Sequence, residues 1–192
     1  RRSSDLIGVG AVIAQVSIGE GAQRGIADRF ASMGTNLLFV TPGSQKQGGV
    51  NSGWGSRTTL KEADAIAIGQ ECPAVMYISP SVSARAQTVY GNKNWNTSIS
   101  GTGAQYPEVR NWDVEFGAYF DDSMVKSAAK VCVLGADVKT TLFEDEDPIG
   151  KVIRVKKIPF KVLGVLKKRG ESGGFGSRDD MITIPYTTAM RR

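Results

Sequence analysis

Residues 6–18 form an uncharged apolar run, after which the chain turns amphipathic, with Ile18, Ala22, Ile26 and Phe30 four residues apart. That spacing puts the four on one side of a helix, and the stretch reads as a helix over 7–33. It stops at Met33-Gly34, where glycine can take the left-handed backbone that ends helices. A helix that is apolar all round at its start and wet on one face at its end is leaving something greasy, either a membrane or a protein core. The uncharged run alone is shorter than the roughly 20 residues a bilayer-spanning helix needs. A β-rich run follows at 36–40, closed by Thr41-Pro42-Gly43.

Residues 45–57 are Gly, Ser, Gln and Asn around Trp54 and read as a loop. Thr59 and Glu62 are spaced as a capping box. They open a helix to Gln70 with Leu60, Ala63, Ile66 and Ala67 inward, ended by Pro73. A strand is expected at 75–79, bent by Pro80. Residues 82–90 alternate Val82, Ala84 and Ala86 against Ser83, Arg85 and Gln87, the period of a half-buried strand. A turn at 91–94 and a return strand at 95–100 complete a hairpin.

Beyond it, Val109, Trp112 and Phe116 fit one face of a helix, or 106–120 is irregular. Residues 121–130 read as a loop with a helical turn, 131–134 as a buried strand, and 135–143 as a short helix with Val138 and Leu142 at i and i+4. The acidic run Glu144-Asp145-Glu146-Asp147 precedes a hairpin over 151–166, with Ile158-Pro159 near its turn. A second glycine-rich loop at 170–177 leads to a last strand at 180–186. The mixture of helices and strands is read as an α+β fold.

At 192 residues and 41% hydrophobic, the chain can bury the core of one large domain or two small ones. Twenty-four Lys and Arg against 19 Asp and Glu give +5, too modest to argue for nucleic acid. The cations concentrate at Lys151, Arg154, Lys156, Lys157, Lys161, Lys167, Lys168 and Arg169, just after the acidic run. Such a zone is an internally balanced, solvated face or a polar docking face. Nucleic acid would want interleaved aromatics, and Phe160, the only one there, reads as core.

The sequence holds no histidine, which removes the commonest metal ligand and the commonest general base together. Cys72 and Cys132 lie in no CxxC spacing; Cys132 reads as a buried thiol, and a bond between the two stays open. No GxxxxGK[ST] loop occurs, and the pairs Gly8/Gly10 and Gly19/Gly21 do not extend to GxGxxG. Asp121-Asp122 and the run at 144–147 lack the ligand spacing of an EF-hand. Asn96-Thr97-Ser98 fits the glycosylation pattern but falls within a strand. A Ser–Lys dyad is formally possible. The inventory assigns no catalytic residue, cofactor or metal, and leaves binding or force transmission.

Eight ordered segments carry a resemblance: VSIGEGAQRGIADRFASMGTNLLFVTPG, LKEADAI, VMYISPSV, NWDVEFGAYF, KVCVLGADVKTTLF, DPIGKVIRV, FKVLGVL and DDMITIPYTTAMRR. Together they resemble the periplasmic domain of MacB-type ABC transporter permeases, the macrolide exporters. The lipoprotein-releasing and cell-division permeases are more distantly similar. The resemblance implies four transmembrane helices with an extracytoplasmic domain between the first two, on the periplasmic face of the inner membrane. That domain would hold a porter-like β-α-β subdomain and an inserted smaller mixed α/β subdomain called Sabre. On this chain the implied division is 1–33 as the end of the first transmembrane helix and a stalk helix, 34–104 porter-like, 105–172 Sabre-like, and 173–192 a return strand.

The implied partners are a second permease subunit in a homodimer, a cytoplasmic ATPase domain on the same or another chain, a periplasmic adaptor, and an outer-membrane channel in Gram-negative cells. The membrane is reached through helices outside this stretch, and no nucleic acid is involved. The implied work is mechanical, with ATP-driven change passing along 7–33 into the periplasm. Trp54, Gly173 and Phe175, in the loops 45–56 and 170–177, are the candidates for partner contact. Family members carry a full transmembrane helix ending near Val16 and continue past Arg192. The chain is therefore expected to be a soluble fragment with part of the porter exposed and sheet edges open to pairing between copies. A stand-alone secreted ligand-binding module and a Ser–Lys hydrolase are the alternatives from other classes.

Overall fold

The computed structural model describes residues 37–42, 46–47, 50–51, 60–170 and 177–191. Residues 1–38 form one unit and 39–192 another, and every described helix and strand belongs to the second. The helix expected at 7–33 lies outside the described residues.

The elements in order are β1 (Lys46–Gln47), β2 (Val50–Asn51), α1 (Glu62–Glu71), β3 (Ser81–Tyr90), β4 (Lys93–Thr102), α2 (Tyr106–Arg110), β5 (Val114–Gly117), α3 (Asp122–Lys126), β6 (Val131–Leu134), α4 (Ala136–Phe143), β7 (Val152–Val155), β8 (Ile158–Leu166), β9 (Met181–Pro185) and α5 (Tyr186–Met190). Six strands close on themselves in the order β8-β6-β9-β4-β3-β7 and back to β8. The pairs β4–β9 and β6–β8 are parallel and the rest antiparallel. β8 closes the ring because it is long. Its first half pairs with β7, its second half pairs with β5, and β6 runs along its other side.

The alternation of β6 sorts two cores. Cys132 and Leu134 face a cluster with Ile99, Ile153, Phe160, Val162, Ile182 and Ile184. Val133 faces a second cluster with Tyr106, Trp112, Phe120, Val125 and Leu166. Helix α4 contributes Val138, Leu142 and Phe143 to the first and packs on β3, β4, β8 and β9, across the ring interior. Burial of these side chains is the main favourable term in the fold.

The hairpin β3–β4 holds as read, with a tighter turn. Tyr90 pairs with Lys93, so the loop is Gly91-Asn92 alone. Gly91 stands at φ +55°, as the first central position of a type II′ turn requires. The expected inward face of β3 is buried at Ala86 and Thr88, while Val82 and Ala84 are exposed. The reason is that β7 pairs only with Thr88 and Val89, so the first half of β3 runs past the ring. The helix at 135–143, the strand at 131–134 and the helical turn within 121–130 stand where the pattern put them.

Several expectations are corrected. Residues 37–40 are irregular rather than β, with Phe39 and Val40 exposed and no ladder partner. The 45–57 loop contains the two-residue pairing of β1 with β2. Thr59 lies outside the described residues, and the helix start is served by Asp64, whose carboxylate accepts from the Lys61 N–H at 2.8 Å. α1 buries nothing. Ile66 is 55% exposed and Leu60 and Ala63 are exposed too, while Ala65, Ala67 and Ile68 are half-buried.

Residues 75–80 form no strand: Val75 N–H bonds back to the Cys72 carbonyl, and the contacts that follow run through side chains instead of a ladder. Ile78 N–H donates to the Gln105 carboxamide, and the Ser79 hydroxyl accepts from Gly103 N–H. Val109, Trp112 and Phe116 share no helical face. Asn111 turns left-handed at φ 48° and ends α2 after one turn, Trp112 is buried, and Phe116 sits exposed on β5. The turn of the β7–β8 hairpin is Lys156-Lys157, with Pro159 already in the ladder opposite Arg154. Closure of the ring pairs both sides of most of its strands, while β5 and the first half of β3, which pairs only with β4, keep open edges. Helix α5 gave no warning in the sequence pattern.

Candidate functional site

Trp54, Gly173 and Phe175 lie outside the described residues. What the structure describes is the base that carries the second glycine-rich loop. Asp179 is fully buried. Its carboxylate accepts from Arg169 N–H at 3.0 Å and from Gly170 N–H at 2.7 Å. Gly170 stands at φ +82°, so two successive N–H groups curl into a nest around the anion. On the far side of the loop, Asp179 N–H donates to the Ser177 hydroxyl at 3.1 Å, and that hydroxyl donates to Asp137. Asp137 N–H reaches back to the Asp179 carbonyl at 3.3 Å. Arg169 and Gly170 are thus held by the buried Asp179 carboxylate, while Ser177 and the Asp179 backbone are tied to Asp137 in the first turn of α4.

Gly135, just before α4, makes this approach feasible. A β-carbon there would fall 2.1 Å from the Asp179 carbonyl oxygen, well inside contact distance. The other side of the base rests on α2. The Arg169 guanidinium lies 4.9 Å over the Trp112 ring and donates to the carbonyls of Arg110 and Asn111. Trp112 Nε1 in turn donates to the Lys167 carbonyl at 2.7 Å. Burial, together with the nearby Arg110 and Arg178, holds Arg169 below the usual arginine range. Sequence reasoning missed Asp179, Arg169 and Trp112 as a set. The only signal was the tandem Asp179-Asp180 directly after a glycine-rich stretch.

A groove of about 490 Å³ lies between α1, residues 75–80, α3 and α5. Ile66, Val75 and Met76 give it an apolar wall. Glu62 and Tyr186 close one end, the tyrosine hydroxyl donating to the carboxylate. Burial and that bond push the Tyr186 pKa up to about 12, so the hydroxyl stays a donor at neutral pH. Among the described residues no cluster of three metal-ligating side chains occurs. Both cysteines are free, Cys72 exposed and Cys132 buried. Among the described residues no helix is long and apolar enough to cross a membrane.

The acidic run is balanced within the fold. Glu144 pairs with Lys93 at 2.7 Å, and Glu146 pairs with Lys151 at 2.8 Å while accepting from the Tyr90 hydroxyl at 2.9 Å. Lys151, and then Tyr90, hold the Glu146 carboxyl below its usual range.

Residues 6–192 match the family described as MacB-like periplasmic core domain. The macrolide export ATP-binding/permease protein MacB of Syntrophobacter fumaroxidans is 42% identical over 188 residues, covering 97% of this chain and 26% of that protein. Its counterpart in Chlorobaculum tepidum is 39% identical over 187 residues, covering 97% and 29%. The chain thus spans less than a third of the length of these relatives. Among solved structures, the periplasmic region of MacB from Actinobacillus actinomycetemcomitans superposes with a TM-score of 0.61 at 26% identity, covering 72% of this chain and 60% of that one. The extracellular domain of the transporter YknZ, at 20% identity and a TM-score of 0.59, shares the fold. The ATP-binding part of the relatives' name has no counterpart here, since the sequence contains no phosphate loop. The chain belongs to the MacB-like periplasmic core domain family, the periplasmic domain of a MacB-type ABC permease.

Proposed function

We propose that this domain transmits ATP-driven movement of an export permease into the periplasm and contacts an adaptor there. The observation that carries the reading is the match over nearly the whole chain to one part of much longer export permeases. A closed ring plugged by α4 supports it physically. Such a body deforms little, so a push at its base is delivered at its far surfaces. The partners are then a second permease subunit, a cytoplasmic ATPase domain, a periplasmic adaptor and, in a Gram-negative cell, an outer-membrane channel.

The subdomain division at 34–104, 105–172 and 173–192 belongs to this proposal, with a porter-like part and a Sabre-like insert. It is a division of the chain and not of the sheet, because the ring takes β3 and β4 from the first segment, β6 to β8 from the second and β9 from the third. Trp54, Gly173 and Phe175 are the proposed contact residues. For the last two, the Asp179 nest supplies the rigid base on which a binding loop is usually mounted.

The test uses the intact permease carrying this domain, with a photo-crosslinking amino acid at Trp54 or Phe175 and its adaptor co-expressed. An adduct with the adaptor at one of these positions is expected. In parallel, a flexible Gly-Ser insert between Met33 and Gly34 is expected to abolish export while ATP hydrolysis continues. Undiminished export with the insert would overturn the mechanical reading; absence of both adducts would overturn the contact assignment.

A further inference from the structure

The six strands of the ring contain no aspartate or glutamate. One wall of it is cationic. Arg85, on the part of β3 that extends past the ring beside the β7–β8 turn, Arg154 on β7, Lys161 on β8, and Lys156 and Lys157 in that turn are all exposed. Arg85 alternates with buried Ala86, Arg154 lies between buried Ile153 and Val155, and Lys161 lies between buried Phe160 and Val162. The pleat therefore sends all three to the outer face.

The strands that carry them are neighbours. Val89 of β3 pairs with Arg154, and the turn is tied to β3 by the Lys156 N–H, which donates to the Gln87 carbonyl at 3.2 Å. Arg154 stands opposite Pro159, which puts it diagonal to Lys161, about 7 Å away across the ladder. The ion pairs Lys93–Glu144 and Lys151–Glu146 use other cations. None of the five is paired with a described carboxylate.

The turn itself is a second observation. Lys156 stands at φ 48° and Lys157 at φ 71°. A two-residue hairpin loop with both residues left-handed is normally Asn-Gly, because a β-carbon is disfavoured in that conformation. Here two lysines occupy the positions that suit lysine least. A strained conformation kept at a surface tip points to a use for its side chains, and what these two supply is charge.

We propose that the outer wall of β3, β7 and β8, with the Lys156-Lys157 tip, docks an acidic surface of a protein partner. Charge complementarity is the argument, since five cations face outward over neighbouring strands with no acid among them. Among the outward positions of these strands and β4 there is no aromatic side chain, and the exposed apolar ones are Val152 and Pro159. A lipid interface would favour Trp, Phe or Leu at the tip, and single-stranded nucleic acid would favour stacking rings. The wall includes none of the loop residues assigned to the adaptor, so either assignment can fail without the other.

Poly-L-glutamate serves as the acidic polypeptide, with calorimetric titration of the full chain at low and moderate salt. Wild type is expected to bind, more weakly as salt rises. Removing three of the five wall cations in R154Q/K156N/K157G is expected to weaken binding at least about tenfold, against less than about twofold for K61Q/K126Q/K168Q, which removes the same charge elsewhere. The pair K156N/K157G relaxes the turn, so its melting temperature is expected to be no lower than wild type while its binding still weakens. That rules out unfolding as the cause. Equal losses in the two triple variants would reduce the effect to net charge and overturn the proposal. So would absence of binding by wild type, or tighter binding to phosphatidylglycerol vesicles than to polyglutamate.

Discussion

Replacing Asp179 by alanine removes the anion from the nest at the base of the 171–176 loop. Its carboxylate takes two backbone donors, Arg169 N–H at 3.0 Å and Gly170 N–H at 2.7 Å, and is fully buried. Hydrogen bonds to a charged group contribute about 1.5–3 kcal/mol each. The two donors are only half-buried, so water can reach them once the loop base opens, and part of that sum is recovered. The expected loss for D179A is about 2–4 kcal/mol. D179N keeps one acceptor oxygen but turns an NH₂ group toward the nest, and should fall between wild type and D179A. Urea unfolding gives the stability, and amide hydrogen exchange gives the site. The Arg169 and Gly170 amides should lose protection in D179A, while amides of β3 and β4 keep theirs relative to global unfolding. A loss below about 0.5 kcal/mol, or unchanged exchange at Arg169 and Gly170, would refute the nest as the element that pins the loop.

The hydroxyls of Thr88 and Thr97 are buried without a partner among the described residues, so T88V and T97V should each gain about 1 kcal/mol; a loss of stability would refute this. K156N/K157G should gain about 1–2 kcal/mol by relaxing two left-handed lysines, read as a shift of the urea midpoint at constant slope. Burial pushes the Cys132 thiol well up and Cys72 is exposed; a thiol reagent should therefore label one cysteine in the native chain and two in denaturant. The Glu146 carboxyl is depressed by Lys151 and Tyr90, so its contribution is present above the unfolded carboxylate range and lost as pH falls through the folded value. The stability gap between wild type and E146Q should be constant above about pH 5 and close below about pH 4.

Much of the fold was legible in local patterns. Alternation found β3, the turn at 91–94 found β4 as its return partner, the apolar run 131–134 found β6, and the i, i+4 pair of Val138 and Leu142 found α4. The failures share one cause. Ile66, Val82 and Val75 have the chemistry of core residues but are exposed, because inwardness belongs to the packing around a residue and not to its own period. Residues 75–79 look β-rich, yet Val75 N–H turns back to the Cys72 carbonyl and Ile78 N–H goes to the Gln105 side chain, so no ladder forms.

By itself the sequence determined the strongly patterned elements, the lack of histidine chemistry and the family, since these depend on residue identity and order along the chain. Only the tertiary structure decided that one long strand, β8, closes six strands into a ring. Only it brought Arg169, Asp179 and Trp112 together, and aligned Arg85 with the lysines of a turn some seventy positions away. Ring closure and clustering across the sheet depend on which strand ladders bond to which, and that choice is made by the whole set of burials at once.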